Sequence, residues 1–131
     1  MAQLTEPWLH QFYDDFIKGG IGSIIDRIDD DAVMHIFGNK SPLAGEWRGK
    51  YGFNDFFRQL FDMSDGTFEL SVRRLEVAGE QLGVIYAHER ARRSGRTYEV
   101  EPVHIWQVKN GLATEFWRCS PDTQADDEFW S

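Results

Sequence analysis

His104 and Glu89 are the two side chains whose types and placement could support chemistry inside this protein. His104 lies in the stretch Thr97–Val108 (TYEVEPVHIWQV), whose period-two alternation predicts a long strand. One face of that strand carries Tyr98, Val100, Pro102, His104, Trp106 and Val108. A histidine among apolar and aromatic neighbours either has a hydrogen-bond partner or takes part in chemistry.

A predicted hairpin places Glu89 on the same face. Ser94-Gly95 is typical of a two-residue turn, so strand Leu82–Arg92 should pair with the long strand. In that register Ile85 lies opposite His104. The other face then pairs opposite charges or hydrogen-bonding groups, Arg90 with Glu99 and His88 with Glu101. The small residues that flank Glu89 on its own face are Ala87 and Ala91. Space above aromatic rings, with an acid and an imidazole, predicts a ligand pocket.

Each candidate also has a plainer structural interpretation. Glu89 could reach water or pair with an arginine, because lone glutamates are rarely buried. His104 could be a core histidine bonded to a carbonyl group. His35, in the predicted strand Ala32–Phe37, is a third candidate, although a histidine at a strand end is more often structural. The three residues lack metal-ligand spacing and no glycine-rich phosphate loop is present, so we expect neither a metal nor another cofactor.

The composition indicates the class of protein and its partners. A chain of 131 residues, 41% of them hydrophobic, is expected to fold as one domain, residues 1–131. It contains 10 Phe and 5 Trp, so some rings should line a cavity or an interface. The net charge of −8 disfavours nucleic acid or an anionic membrane as partner. A single cysteine, Cys119, with no secretion signal and no apolar run of bilayer length, predicts a cytoplasmic protein.

Helices dominate the first half of the sequence and strands the second. Helical spacing of apolar residues predicts the helices Thr5–Lys18, Ile21–Ile28 and Gly49–Met63, and a short helix follows Pro121. The segments between them are predicted to be a turn at Asp29-Asp30-Asp31 and a loop at Gly38–Gly49. A phase break at Arg73-Arg74 predicts a β-bulge, and Asn110-Gly111 predicts a second hairpin turn. Helices followed by a meander of strands indicate the α+β class.

Several segments in one order resemble a known family. They are the two helices around Gly19-Gly20, the strand DDDAVMHIF, the loop SPLAGEWRG, the helix FNDFFRQLF and the hairpin VEPVHIWQVKNGLATEFW. Together they resemble a SnoaL-like protein of the ketosteroid-isomerase and nuclear-transport-factor superfamily. The resemblance implies a curved antiparallel sheet wrapped around helices, a cone with an apolar cavity, and a homodimer formed through the outer sheet face. The superfamily includes isomerases, polyketide cyclases, epoxide hydrolases, dehydratases and non-catalytic carriers, so the fold does not choose among them.

The catalytic positions of the isomerases are not kept. Their oxyanion-binding tyrosine on the first helix corresponds to Phe12, with Tyr13 expected to point elsewhere. Their general base, their protonated aspartate and a supporting tyrosine correspond to Ile36 (next to His35), His104 and Phe57. The resemblance therefore implies that ketosteroid isomerase activity in its usual form is absent, while the apolar cavity persists.

Three functions agree with these observations. The first is a small enzyme, an isomerase, cyclase or dehydratase, that acts by proton transfer on an apolar or aromatic carbonyl compound. In it His104 stabilises or protonates an oxygen, and Glu89 or His35 acts as base. The residues expected to contact the ligand are Phe12, Phe57, Tyr98, Pro102, Trp106 and Trp117. The second function is a non-catalytic binding protein for a hydrophobic small molecule. The third is a dimeric interaction module, because Val103 and Ile105 are apolar yet point away from the cavity.

Overall fold

The computed structural model describes residues 3–131. Within this range the chain forms three α-helices and seven strands. In chain order they are α1 (Glu6–Gly19), β1 (Ile28–Ile36), β2 (Gly45–Arg48), α2 (Gly49–Met63), β3 (Glu69–Ala78), β4 (Leu82–Arg93), β5 (Arg96–Val100), β6 (Val103–Lys109), β7 (Leu112–Cys119) and α3 (Thr123–Trp130). No helix in this part of the chain is both long and apolar enough to cross a membrane.

The strands form one curved, unclosed sheet, and the α+β prediction is confirmed. Its order is β2-β1-β7-β6-β4-β3, and β5 also pairs with β4. The β1–β7 pair is parallel and the other pairs are antiparallel. The predicted bulge is present, since Arg73 is the extra residue between two registers of β3 against β4. Bulges bend a strand and increase its twist, which helps the sheet curve around α1 and α2.

The first and third predicted helices are confirmed. The Thr5 hydroxyl caps α1 by accepting a bond from the Trp8 N–H at 3.2 Å. Gly20, with φ of +75°, ends the helix and its N–H donates to the Phe16 carbonyl. Helix α2 has the predicted bounds, Gly49–Met63. Both helices bury a largely aromatic stripe, which in α1 consists of Leu9 and the three rings Phe12, Tyr13 and Phe16.

The prediction for the segment between α1 and α2 was wrong in three places. The helix predicted at Ile21–Ile28 is replaced by two 3₁₀ turns, Ile21–Ser23 and Ile25–Arg27. Ile28 already belongs to β1 and is fully buried, so the three aspartates that follow lie in the strand and not in a turn. The predicted loop Gly38–Gly49 contains the short strand β2, which pairs with β1. Pairing with β7 and β2 decides the conformation here, because the local pattern is too short to hold a helix.

The long strand Thr97–Val108 divides into β5 and β6, but its predicted register is confirmed. Glu89 lies opposite Val100 and Ile85 opposite His104. Proline has no N–H to donate to the ladder, so the strand is interrupted at Pro102. The Pro102 carbonyl still accepts a bond from the Ala87 N–H at 3.0 Å, which carries the register across the interruption.

Candidate functional site

An aromatic cavity lies between α1, α2, α3 and the concave face of the sheet. Most of its lining is apolar, including Phe12, Phe16, Phe56, Phe57, Trp106 and Phe116. Its polar lining consists of Tyr13, Ser41, Glu89, His104, Arg118 and Asp126. The cavity volume is about 70 Å³. A cavity of this size suits a ligand of one ring better than a polycyclic one.

Glu89 and His104 meet on the sheet face of this cavity. Glu89 comes from β4 and His104 from β6, and the Glu89 Oε2 lies 2.7 Å from the His104 Nε2. The exposed fractions of the two side chains are 5% and 6%. A carboxylate can only accept, so the His104 Nε2 must carry the hydrogen. Because Glu89 fixes this hydrogen on Nε2, the neutral imidazole keeps Nδ1 as an acceptor.

Tyr13 completes the chain of hydrogen bonds on the helix side. Its hydroxyl oxygen lies 2.8 Å from the His104 Nδ1 and accepts a bond from the Trp106 Nε1–H at 2.8 Å. The hydroxyl hydrogen can therefore be donated to His104. The Tyr13 side chain is buried, and it lies in the wall of the cavity. The prediction that Tyr13 points away from the cavity was wrong.

Arg118 holds the other side of Glu89. Its Nη2 lies 2.8 Å and its Nε 3.1 Å from the Glu89 Oε1, while its Nη1 lies 2.8 Å from the Asp126 Oδ2 of α3. Its Nη2 also donates to the Tyr98 hydroxyl at 3.2 Å, and Tyr98 donates to Asp126. Among residues 3–131 no buried side-chain nitrogen or oxygen lacks a partner. The polar wall is thus a closed network of paired charges and hydrogen bonds.

The electrostatics of this network decide which groups can exchange protons. Burial alone would raise the pKa of Glu89, but the Arg118 charge and the His104 hydrogen bond outweigh it and lower that pKa to about 2. Burial raises the pKa of Tyr13 well above its ordinary value, and burial together with the bond to Asp126 raises that of Tyr98. Glu89 is therefore an anion that orients His104 and is too weak a base near neutral pH. Tyr13 keeps its proton and acts as a neutral donor.

The structure brings together only part of the predicted site. Phe12, Phe57 and Trp106 line the cavity with Glu89 and His104. The other three ligand-contact candidates lie outside the lining: Tyr98 is behind Arg118, Pro102 is fully buried, and Trp117 faces the other side of the sheet.

His35 also lies on the outer face, not in the cavity. Its ring stacks on Trp117 at 5.6 Å, and its Nε2 lies 2.6 Å from the Glu115 Oε2. Its Nδ1 lies 3.4 Å from the Glu46 Oε2. Strand alternation explains the placement, because Met34, next to His35, is the residue that points into the core. In the described part of the chain no group of three His, Cys, Asp or Glu side chains is arranged to hold a metal ion.

The prediction from the sequence missed three polar residues of the cavity, each for a different reason. Tyr13 follows Leu9 by four residues, so the helical spacing already placed it on the buried face. Arg118 points inward because the register of β6 against β7 shifts by one, which leaves Thr114 as an extra residue. Without that bulge, Trp117 would take the place of Arg118 opposite His104 on the cavity face. Nothing in the sequence predicted that Asp126 is buried, since an acid in a short terminal helix normally faces water.

A second carboxylate of α3 holds the loop at the cavity mouth. The Asp127 carboxylate accepts bonds from the N–H groups of Asn39, Lys40 and Ser41 at 2.8–3.2 Å. The bond from Asn39 contributes most to lowering the pKa of Asp127. A Cβ at Gly38 would lie 2.5 Å from the Asp127 Oδ1, so glycine allows this close approach. The neighbouring Phe37 lines the cavity and is 51% exposed, which places the opening beside this loop.

Residues 9–116 match the family model of the SnoaL-like domain. The chain belongs to this family. Among the curated proteins, none matches it in sequence.

Solved structures of similar fold agree with this assignment of the SnoaL-like chain. Bal32a, from a soil-derived mobile gene cassette, has a TM-score of 0.88 at 22% identity, over 95% of each chain. TerC, co-crystallised with polyporic acid, has a TM-score of 0.77 at 21% identity, over 94% of this chain and 95% of its own. A putative SnoaL-like polyketide cyclase from Jannaschia sp. CCS1 has a TM-score of 0.71 at 14% identity, over 92% of each chain. At these identities the likeness concerns the fold.

Proposed function

We propose that this SnoaL-like protein binds a compact, neutral aromatic carbonyl compound and transfers protons at its oxygen atom. The observation that carries the proposal is the buried chain Glu89–His104–Tyr13, which ends on the wall of an aromatic cavity. Aromatic walls favour a flat ring, and a few placed polar groups fix its orientation. The cavity space of about 70 Å³ favours a ligand of one ring over a polycyclic one.

The charges favour a neutral ligand. Glu89 and Asp126 both pair with Arg118, whose nitrogens are all engaged with protein partners. In the described part of the chain Arg118 is the one cavity-lining residue with a permanent positive charge, and the two carboxylates already neutralise it, so burying another anion there would be costly. The solved structures of similar fold support an organic ligand, since TerC was co-crystallised with polyporic acid and another neighbour is a putative SnoaL-like polyketide cyclase.

The Tyr13 hydroxyl is the group that donates the proton to the ligand. Both His104 nitrogens are already bonded, Nε2 to Glu89 and Nδ1 to Tyr13. When His104 is protonated, the Tyr13 hydroxyl can give its proton to the carbonyl oxygen while the His104 Nδ1–H replaces it. A water molecule takes a proton from the carbon next to the carbonyl and later returns it to His104, so the ligand changes from ketone to enol. General acid catalysis of this kind typically contributes 10²–10⁴-fold.

A hydrogen-exchange experiment tests this function. Acetophenone is incubated with the protein in D₂O, and deuterium uptake at its methyl group is followed by NMR. We expect wild type to accelerate uptake and His104→Gln to lose the acceleration. His88→Gln is the matched control, because His88 lies on the outer face and bonds Glu99 there. Absence of acetophenone binding, measured by calorimetry, would refute the proposal.

The second candidate function is binding without turnover. It is favoured by the complete pairing of buried polar side-chain atoms among residues 3–131, which leaves no free base beside a ligand carbon. Wild type that binds acetophenone, yet exchanges its methyl hydrogens no faster than buffer does, would establish this candidate over the enzyme.

A further inference from the structure

The Tyr13 hydroxyl can form only a fixed number of hydrogen bonds. A tyrosine oxygen has one hydrogen to donate and two lone pairs that accept. The Trp106 Nε1–H occupies one lone pair, at 2.8 Å. The His104 Nδ1, also at 2.8 Å, either takes the Tyr13 hydrogen or, when protonated, occupies the second lone pair. What remains for a ligand therefore depends on the protonation of His104.

Neutral His104 leaves Tyr13 with one free lone pair, which suits a ligand hydroxyl that donates. Protonated His104 leaves Tyr13 with a free O–H, which suits a ligand oxygen that accepts. The Glu89 carboxylate keeps its bond from Nε2–H in both states, at 2.7 Å, so only the Tyr13 side of the imidazole changes. The alternation between donor and acceptor is a property of the geometry and does not require any side chain to move.

The charged groups around His104 are not balanced among themselves. Glu89 from β4 bonds it directly, and the Phe116 ring of β7 lies 5.3 Å away. Arg118 and Asp126 reach it through Glu89. When both carboxylates are ionised, Arg118 balances one of the two negative charges, so a proton on His104 makes the buried cluster neutral. A buried cluster without net charge is less costly than one with it.

The other donors on the cavity wall are mostly engaged. Four of the five Arg118 N–H groups bond Glu89, Asp126 or Tyr98. Ser41 is the other hydroxyl in the lining, but it is half-buried on the mouth loop, where its oxygen accepts a bond from the Leu43 N–H. Tyr13 is therefore the donor whose availability to a ketone depends on His104.

We infer that a ligand whose oxygen only accepts hydrogen bonds binds to this cavity together with one proton, taken from solvent by His104. A ligand that offers a hydroxyl group binds without proton uptake. The cavity thus selects ketones at lower pH and alcohols or phenols at higher pH. This inference rests on the proposed function, because it assumes that the ligand oxygen lies against Tyr13.

Three ligands of nearly the same shape test the inference. Acetophenone offers an acceptor, 1-phenylethanol a hydroxyl, and α-methylstyrene neither. Titration calorimetry in buffers of different ionisation enthalpy, from pH 6 to pH 9, gives the number of protons bound with each ligand. Wherever His104 is neutral in the free protein we expect nearly one proton for acetophenone, whose affinity then falls about tenfold per pH unit. We expect nearly zero protons for the other two ligands.

Variants separate this inference from the proposed function. Tyr13→Phe should lose the proton uptake with acetophenone and still bind α-methylstyrene, while the outer-face control His88→Gln keeps the uptake. Acetophenone that binds wild type without proton uptake, with the same affinity across the pH range, would overturn the inference and leave the proposed function standing. If none of the three ligands binds, the proposed function itself fails.

Discussion

Replacing Glu89 by glutamine should remove a defined part of the acid sensitivity of this protein. The folded-state pKa of Glu89 is lowered from its ordinary value of 4.5 to about 2, against the effect of burial, by Arg118 and His104. A depressed carboxyl pKa stabilises the folded state fully above the unfolded value, and that stabilisation disappears as pH falls through the folded value. The carboxylate side chain is only 5% exposed, so solvent screening is small.

The linkage relation gives the magnitude. The pKa difference contributes about 3 kcal/mol to the free energy of unfolding at pH 7. At pH 3 roughly 1 to 1.5 kcal/mol remains, so about 2 kcal/mol is lost between these two values. The protein has 22 acidic residues, and the others also titrate in this range. Comparison with Glu89→Gln cancels their contribution, because the variant keeps all of them.

The assay is urea unfolding of both proteins at pH 7 and pH 3, with the same sucrose concentration added throughout to keep the folded state populated. Wild type should lose about 2 kcal/mol more than Glu89→Gln between the two pH values. An equal loss in both proteins would mean that Arg118 and His104 do not hold Glu89 as a stabilised anion, and the reasoning about the polar wall would be refuted.

Three further outcomes are expected. Gly83→Ala should lower the free energy of unfolding by about 1–3 kcal/mol, measured by thermal unfolding, because its Cβ would lie 2.6 Å from the fully buried Leu9 of α1. Gly22→Ala, with open space around the new methyl group, is the control, and equal melting temperatures would contradict the packing described. Asp127→Asn should speed amide hydrogen exchange at residues 39–41, whose N–H groups it accepts; unchanged rates would show that the carboxylate does not hold the loop. Ile105→Glu should convert a dimer formed through the outer sheet face into monomers in light scattering, and a monomeric wild type would disprove that dimer.

The sequence predicted what depends on local rules. Strand alternation and the Ser94-Gly95 turn were enough to place Glu89 and His104 on one face, and the register agrees on both sides of the interruption at Pro102. The predicted contact of His88 with Glu101 was wrong, because His88 bonds Glu99. Helix α2 was predicted with its observed bounds because its aromatic stripe is long and regular.

The predictions that were wrong concern residues whose placement depends on interactions between distant segments. The extra residue Thr114 reverses the faces of β7 and exchanges Trp117 for Arg118 in the cavity, and no turn residue marks it. Asp126 is buried only because Arg118 and Tyr98 are there to bond it, which a pattern of single residues does not reveal. The strand β1 runs through three aspartates because distant segments pair with it on both sides of them, at Ile28 and from Val33 onward.

The adjacency of Asp126 and Asp127 has a kinetic consequence. Successive residues on a helix point about 100° apart, so α3 holds the deep polar wall with one carboxylate and the mouth loop with the next. Arg93 and Arg96 donate hydrogen bonds to carbonyl groups at the end of the same helix, so contacts with several other elements fix the position of α3. A movement of α3 that breaks the bond between Arg118 and Asp126 would therefore also strain the bonds from Asp127 to the mouth loop. The helix cannot shift by one residue without losing both contacts, so the deep wall and the mouth of the cavity should loosen together.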